Sequence, residues 1–201
     1  MQNKPTSKFR RQPPNRKRGI ATDTIDDFAL QLLEEAKYFL EKANSCPKRE
    51  GIRAYLHASV NLGVCAWEAH VNAVAEEFLT RPNLDLLYRS VLEERDIELN
   101  DGRFSLVDRL TRYRSTERFE FLWKSFSRKP LDKTSRWWSE LQAMINLRNQ
   151  LTHPKRPPAL NAESVGRGIR AVVCSVDALY RAIYKRAHPL ASLQLESTLD
   201  F

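Results

Sequence analysis

Apolar residues recur along most of this chain at alternating intervals of three and four, the spacing of amphipathic helices. The first such segment, Asp23 to Ala43, places Ile25, Phe28, Ala29, Leu32, Ala36, Phe39, Leu40 and Ala43 on one side. Thr24 or Asp23 is its expected cap, acids fill the first turn, and Cys46-Pro47 ends it. The second, from about Glu50 to Leu79, carries Leu56, Val60, Val64, Trp67, Val71, Val74 and Phe78, a stripe long enough for a helix at the centre of a bundle. Beside it runs a polar row, Asn61, Cys65, Glu68 and Asn72, in which Glu68 and Asn72 lie one turn apart. That row reads either as a half-buried polar edge or as a cluster that orients groups on a facing helix.

The pattern loosens after Arg81-Pro82. A short helix is expected near Leu84 to Glu94. Asn100-Asp101-Gly102, between Ile97/Leu99 and Phe104, has the composition of a tight turn and closes either a small hairpin or a loop. Two helical pieces, roughly Ser105 to Arg114 and Thr116 to Ser127, follow. Their arginines (Arg103, Arg109, Arg112, Arg114, Arg118, Arg128) alternate with Phe104, Tyr113, Phe119, Phe121, Trp123 and Phe126. Such interleaving stacks bases and pairs phosphates in some proteins, although aromatics at helical spacing are more often core.

Periodicity returns near Thr134 with Trp137, Trp138, Leu141, Met144 and Ile145, and runs straight into Arg148 and Asn149. This helix must stop at or before His153, because Pro154 disfavours helical geometry in the residue preceding it. PKRPP then acts as a rigid spacer. A last strong helix, about Ala162 to Arg186, aligns Val165, Ile169, Val172, Val173, Val176, Leu179, Tyr180 and Ile183. The expected architecture is an all-α bundle with two long core helices, an irregular helical insertion, a late polar-ended helix and a final helix. Residues 1–22 are expected as a disordered basic arm, 23–187 as the helical domain, and 188–201 as a tail or partner-docking segment.

Charge sharpens this division. The chain of 201 residues carries a net charge of +8, yet Lys4, Lys8, Arg10, Arg11, Arg16, Lys17 and Arg18 supply seven of those charges with no acid among the first eighteen residues. The body is nearly neutral. Lys8, Arg10, Arg11, Arg16, Lys17 and Arg18 make the arm a candidate phosphate-binding segment, whose grip on RNA would weaken with salt. A solubilising tail and a nuclear-localisation signal are the competing readings of the same residues.

Cys46, Cys65 and Cys174 are odd in number without a CxxC pair, which points to a reducing compartment, the cytoplasm. Cys65 and Cys174 fall in apolar helical patterns as small hydrophobes. The four histidines are scattered, without HExxH or paired ligand spacing, so no metal is expected. No GxxxxGK[ST] or GxGxxG cradle is present, no cofactor is expected, and no window is apolar enough to span a membrane.

The chemistry gathers in Arg148-Asn149-Gln150-Leu151-Thr152-His153. A guanidinium that stays charged neutralises developing charge on phosphorus, and a nearby imidazole moves the proton. At a hundred degrees per residue Arg148 and His153 stand about 140 degrees apart on a straight helix, while Asn149 and His153 are separated by about forty. Arg148 and Asn149 continue the inward stripe, so something acidic, polar or anionic must face the guanidinium. Glu68 is one candidate and a substrate phosphate the other. A cation at a helix C-terminus meets the negative end of the dipole, which suits His153 to acid catalysis or phosphate binding. A capping histidine with a snorkelling arginine is the plainer alternative.

RNQLTH, near the end of a late helix followed by one more, resembles the RNxxxH form of the Arg-x4–6-His motif that marks the HEPN superfamily of all-helical domains. SVNLGVCAWEAHVNAVAEEFL is similar to the earlier long helix of several HEPN families, where a Glu followed four residues later by Asn recurs, here Glu68 and Asn72. The resemblance covers roughly Asp23 to Arg186 and is vague between Arg81 and Thr134. It implies a metal-independent endoribonuclease using the neighbouring 2′-hydroxyl, with Arg148 and His153 of two protomers meeting in a cleft across a homodimer. Asn149 would orient, and Glu68 and Asn72 would support from behind. Many such proteins are toxins or defence nucleases restrained by an antitoxin, whereas others bind RNA or a protein partner without cleaving.

Overall fold

A computed structural model of the protein describes residues 24–127, 129–192 and 195–200. The basic arm, with Lys8, Arg10, Arg11, Arg16, Lys17 and Arg18, and also Arg128, lie outside the described residues. The fold is largely helical: α1 (Ile25–Ser45), α2 (Arg49–Leu79), α3 (Leu86–Glu93), α4 (Ser115–Ser127), α5 (Arg136–Thr152) and α6 (Ala162–Tyr184). A two-stranded antiparallel hairpin, β1 (Arg95–Asn100) and β2 (Arg103–Leu110), projects between α3 and α4.

Thr24 caps α1 through a reciprocal box: its hydroxyl accepts from the Asp27 N–H at 3.1 Å while its own N–H donates to the Asp27 carboxylate at 3.1 Å. The α2 stripe behaves as its spacing requires, for Leu56, Val60, Val64, Trp67, Val71, Val74 and Phe78 are all buried. Packed on α2 are α1, α5 and α6, whose Leu33, Leu141, Ile169 and Leu179 complete the core. Met144 of α5 is the wedge that seats this arrangement. A Cβ on Gly63 of α2 would stand 2.5 Å from Met144 Cε, and one on Gly168 of α6 would stand 2.6 Å from its Sδ. Absence of those two carbons lets α5 sink onto its neighbours, one turn before Arg148.

The structure departs from the sequence expectation in several places. Residues 105–110 are strand rather than helix, so the fold is not purely α. Asp101 and Gly102 both take positive φ, 50° and 74°, as a hairpin turn of the primed kind demands. Across the ladder Arg109 binds Asp96 at 2.5 Å and Glu98 at 2.7 Å, a charge pairing that a helix would not assemble.

The buried face of α1 differs in part. Ala29, Ala36, Leu40 and Ala43 are buried as expected, but Ile25 and Phe28 stay exposed, at 38 and 52 %, while Leu33, Glu34 and Lys37 are buried. Glu34 is covered by the segment expected to be a tail. After a 3-10 turn at Pro189–Ser192, with Leu190 buried, the chain returns over α1. There the Thr198 N–H and hydroxyl donate to Glu34 Oε2 at 2.7 and 2.9 Å, and Lys37 Nζ donates to Oε1 at 2.7 Å. A buried ion pair is tolerable only with such further donors.

Cys65 and Cys174 are exposed rather than core residues, although partial desolvation still pushes both thiols above their ordinary pKa. In the aromatic and basic stretch the commoner of the two readings holds: Phe119 and Trp123 are buried against Trp67 and α5 as core.

Candidate functional site

The polar row on α2 meets two arginines, one from each neighbouring helix. Arg148 of α5 donates through Nη2 to Glu68 Oε1 at 2.7 Å, with side chains 28 and 30 % exposed. The same oxygen accepts from the Ser115 hydroxyl, at the start of α4, at 2.8 Å. Arg148 Nε is buried with no hydrogen-bond partner. Of the two candidates for facing the guanidinium, Glu68 is the one in contact.

Asn72 does not join this pair. Its Oδ1 accepts from Arg118 Nη1 at 2.5 Å, and Arg118 also donates to Glu94 Oε2 at 3.1 Å and to the Leu92 carbonyl at 3.1 Å. Arg118 is 7 % exposed, and desolvation pulls its pKa down from the usual guanidinium value, against the Glu94 charge that raises it. Glu94 is the left-handed C-cap of α3, so Arg118 locks the α3–hairpin junction onto α2 and α4. Sequence reasoning gave Arg118 no role beyond the basic stretch. The signal was there: it precedes Leu122 by one turn on the buried face of α4, where an arginine must find several acceptors.

Asn149 and His153 are exposed, in contrast to the expected inward continuation of the stripe through Asn149. The helix ends as Pro154 requires: His153 leaves helical geometry with φ −127° and ψ 65°, and its N–H donates to the Asn149 carbonyl at 2.9 Å. Arg148 and His153 nonetheless open on adjoining clefts. Arg148 lines one of about 410 Å³ together with Glu68, Tyr113, Ser115 and Gln142. His153 lines another of about 450 Å³ with Gln150, Lys155 and Arg156. Asn146 and Asn149 form the wall common to both.

Two of the histidines expected to be scattered are brought together elsewhere. His70 Nδ1 lies 3.0 Å from Asp26 Oδ1 and His188 Nε2 lies 3.9 Å from the same oxygen. Donation from His70 holds the Asp26 carboxyl below its ordinary value, and burial drives His188 down to about 4. His188 Nδ1 accepts the Leu190 N–H at 3.1 Å, which leaves the ring proton on Nε2 and no lone pair there for a metal. Candidate ligand atoms spread to 4.8 Å, against a tetrahedral edge of about 3.3 Å implied by bonds of about 2.0 Å. These three residues form a clamp that ties α1, α2 and the segment after α6.

No family model, curated protein or solved structure matches this chain. Function must therefore be argued from the site. Among the described residues no helix is long and apolar enough to cross a membrane.

Proposed function

We infer that the protein is an RNA-binding endoribonuclease of HEPN type that needs no metal for cleavage and works as a homodimer, with Arg148 and His153 as the catalytic pair. The observation that carries this reading is the common Asn146/Asn149 wall, with an arginine in the cleft on one side and a histidine in the cleft on the other. A phosphodiester laid across that wall meets a fixed cation and a solvent-exposed imidazole. In the reaction, the 2′-oxygen attacks phosphorus and its proton passes to water. The bond from phosphorus to the 5′-oxygen breaks, and the His153 imidazolium gives its proton to that departing oxygen, leaving a 2′,3′-cyclic phosphate and a 5′-hydroxyl. Arg148 neutralises the charge that grows on the equatorial oxygens.

Glu68 is the positioning residue. Held by Ser115 from behind, it fixes one guanidinium nitrogen and leaves the other Nη donors of Arg148 to the substrate. Asn149 contacts the phosphate or sugar, and Asn72 acts at one remove, through Arg118 and the seat of α4. In a dimer whose axis brings two α5 ends together, the second copy contributes its own pair to a composite cleft. Restraint by an antitoxin protein fits such an activity.

The test is cleavage of single-stranded and structured RNA in EDTA by wild type, Arg148→Ala and His153→Ala, with product ends analysed. Cutting by wild type alone, with cyclic phosphate ends, is the expected result. Equal cutting by all three proteins, or by none, overturns the nuclease reading. Retained RNA binding in the latter case would identify a non-catalytic binding module.

A further inference from the structure

The α2 polar row extends well past the residues that face the arginines. Arg49, Arg53, His57 and Asn61 follow one another at intervals of four on the same helix, and with Glu68 they mark a face about 28 Å long. This face borders a third cleft, of about 560 Å³, whose floor is apolar: Ile52, Leu151, Pro157, Pro158 and Leu160. Gln150 belongs both to this cleft and to the one that holds His153. Three clefts, each in the range of about 300–1,000 Å³ typical of small-ligand sites, therefore adjoin without interruption along the C-terminal half of α5.

Their charge is lopsided. Arg114, Lys155, Arg156, Arg49 and Arg53 line the sequence of clefts, and among the described residues none of their side chains has a carboxylate partner. The hairpin arginines, by contrast, are neutralised: Arg95 by Glu93 and Arg109 by Asp96 and Glu98. Glu68, the acid lining the clefts, is already held by Arg148. At the far end Lys48 gives α2 no side-chain cap, so the first N–H groups of that helix add to the same field. Amides punctuate the path: Asn61, Gln142, Asn146, Asn149 and Gln150. Gln142 Nε2 is buried without a partner. Unpaired cations supply phosphate contacts, an apolar floor takes an unstacked base or ribose, and amides bond to base edges. A paired duplex offers no free base to such a floor.

We propose that these clefts form one track for single-stranded RNA, entering over Arg49, Arg53 and His57 of α2, passing Lys155 and His153, and ending in the Tyr113/Gln142 pocket beside Arg148. The track rests on the site of the proposed nuclease for its central cleft, and it adds the substrate class and a binding arm that the hexapeptide does not contain.

The experiment measures binding of a fluorescent 2′-O-methyl RNA decamer, which lacks the attacking hydroxyl, to the full chain across a series of salt concentrations. Arg53→Gln/Lys155→Gln removes two phosphate contacts and should lower the slope of log K against log salt by about 1.4 for the single strand. Affinity should fall several-fold, and a trimer should bind much more weakly than the decamer. A 4-thiouridine at the decamer's end should cross-link to residues 49–61. Arg49→Gln/Arg156→Gln repeats the measurement should the first variant unfold. An unchanged slope, no binding of the single strand, or an equal loss with duplex RNA would overturn the track. Cleavage does not enter this assay, so a track that passes beside an enzyme that never cuts removes only the nuclease reading.

Discussion

Replacing Glu68 and Arg148 by Gln, singly and together, tests whether the ion pair is a structural clasp or a loaded catalytic group. At 2.7 Å and an effective dielectric constant of about 20, the direct attraction of such a pair is on the order of 6 kcal/mol. Desolvation returns most of this, since both side chains retain less than a third of their exposure, at 28 and 30 %. Exposed pairs couple by about 0.2–1 kcal/mol and truncation of a fully buried partner costs about 3–5 kcal/mol, so this pair should fall between, near 1–2 kcal/mol. Each single change strands a charge: Arg148 loses its only carboxylate, and Glu68 keeps only the Ser115 hydroxyl. Urea unfolding at constant m should give a double variant more stable than the sum of the two losses by about 1 kcal/mol. RNA binding gives the functional half of the answer. Glu68→Gln frees a guanidinium nitrogen and removes a negative charge, so it should tighten RNA binding at low salt yet slow cleavage, because Arg148 is no longer aimed. A coupling within about 0.3 kcal/mol of zero would refute the clasp. Weaker RNA binding by Glu68→Gln would refute the assignment of Arg148 to phosphate.

Gly168→Ala should destabilise by about 1–3 kcal/mol, because the new Cβ meets Met144 at its Sδ, Cγ and Cβ, at 2.6, 2.9 and 3.0 Å, and backing away means shifting α5. Thermal unfolding checks the cost, and an unchanged transition would show that Met144 does not seat α5. Acid should weaken the fold through His188, whose pKa of about 4 lies below its ordinary 6.5. The unfolded chain binds the extra proton between those values, so stability is complete above about pH 6.5 and falls by up to about 3 kcal/mol on descending to pH 4. His188→Gln should flatten that part of the profile of unfolding free energy against pH, and an unaltered slope would exclude His188 as its source. Ser115→Ala should cost less than 1.5 kcal/mol, the net worth of one hydrogen bond, because Glu68 retains Arg148; a larger loss in urea unfolding would mean that Ser115 supports more than Glu68.

How much of this was legible in the sequence depends on how far each determinant lies along the chain. The α2 stripe was readable because its buried positions repeat within the helix itself. Residues 105–110 were not, since SLVDRL satisfies neither period decisively and its pairing partners, with Asp96 and Glu98 among them, lie on the opposite strand. The burial of Glu34 on α1 was further out of reach: residues 197 and 198 bond to it, and no local pattern announces a contact from more than 160 residues along the chain.

The polar row on α2 shows where such reading stops, and why. Burial of a guanidinium demands acceptors, so a sequence with Arg148 at the end of an apolar stripe and Glu68 on the flank of another already implies a contact across about eighty residues. It does not say which arginine takes which acceptor. Arg118 and Arg148 both approach α2, and Glu68 and Asn72 both wait there one turn apart. Charge decides the outcome. Arg118, the deeper of the two, collects Glu94, the Leu92 carbonyl and the neutral Asn72, so one carboxylate suffices for it. Arg148 lines a cleft with 28 % of its side chain exposed, although its Nε is buried. The single carboxylate of the row goes to the arginine with fewer protein acceptors. Each arginine keeps a buried Nε without a hydrogen-bond partner, so what separates them is access: Arg118 is closed in at 7 % exposure, whereas the Arg148 side chain is 28 % exposed and lines a cleft.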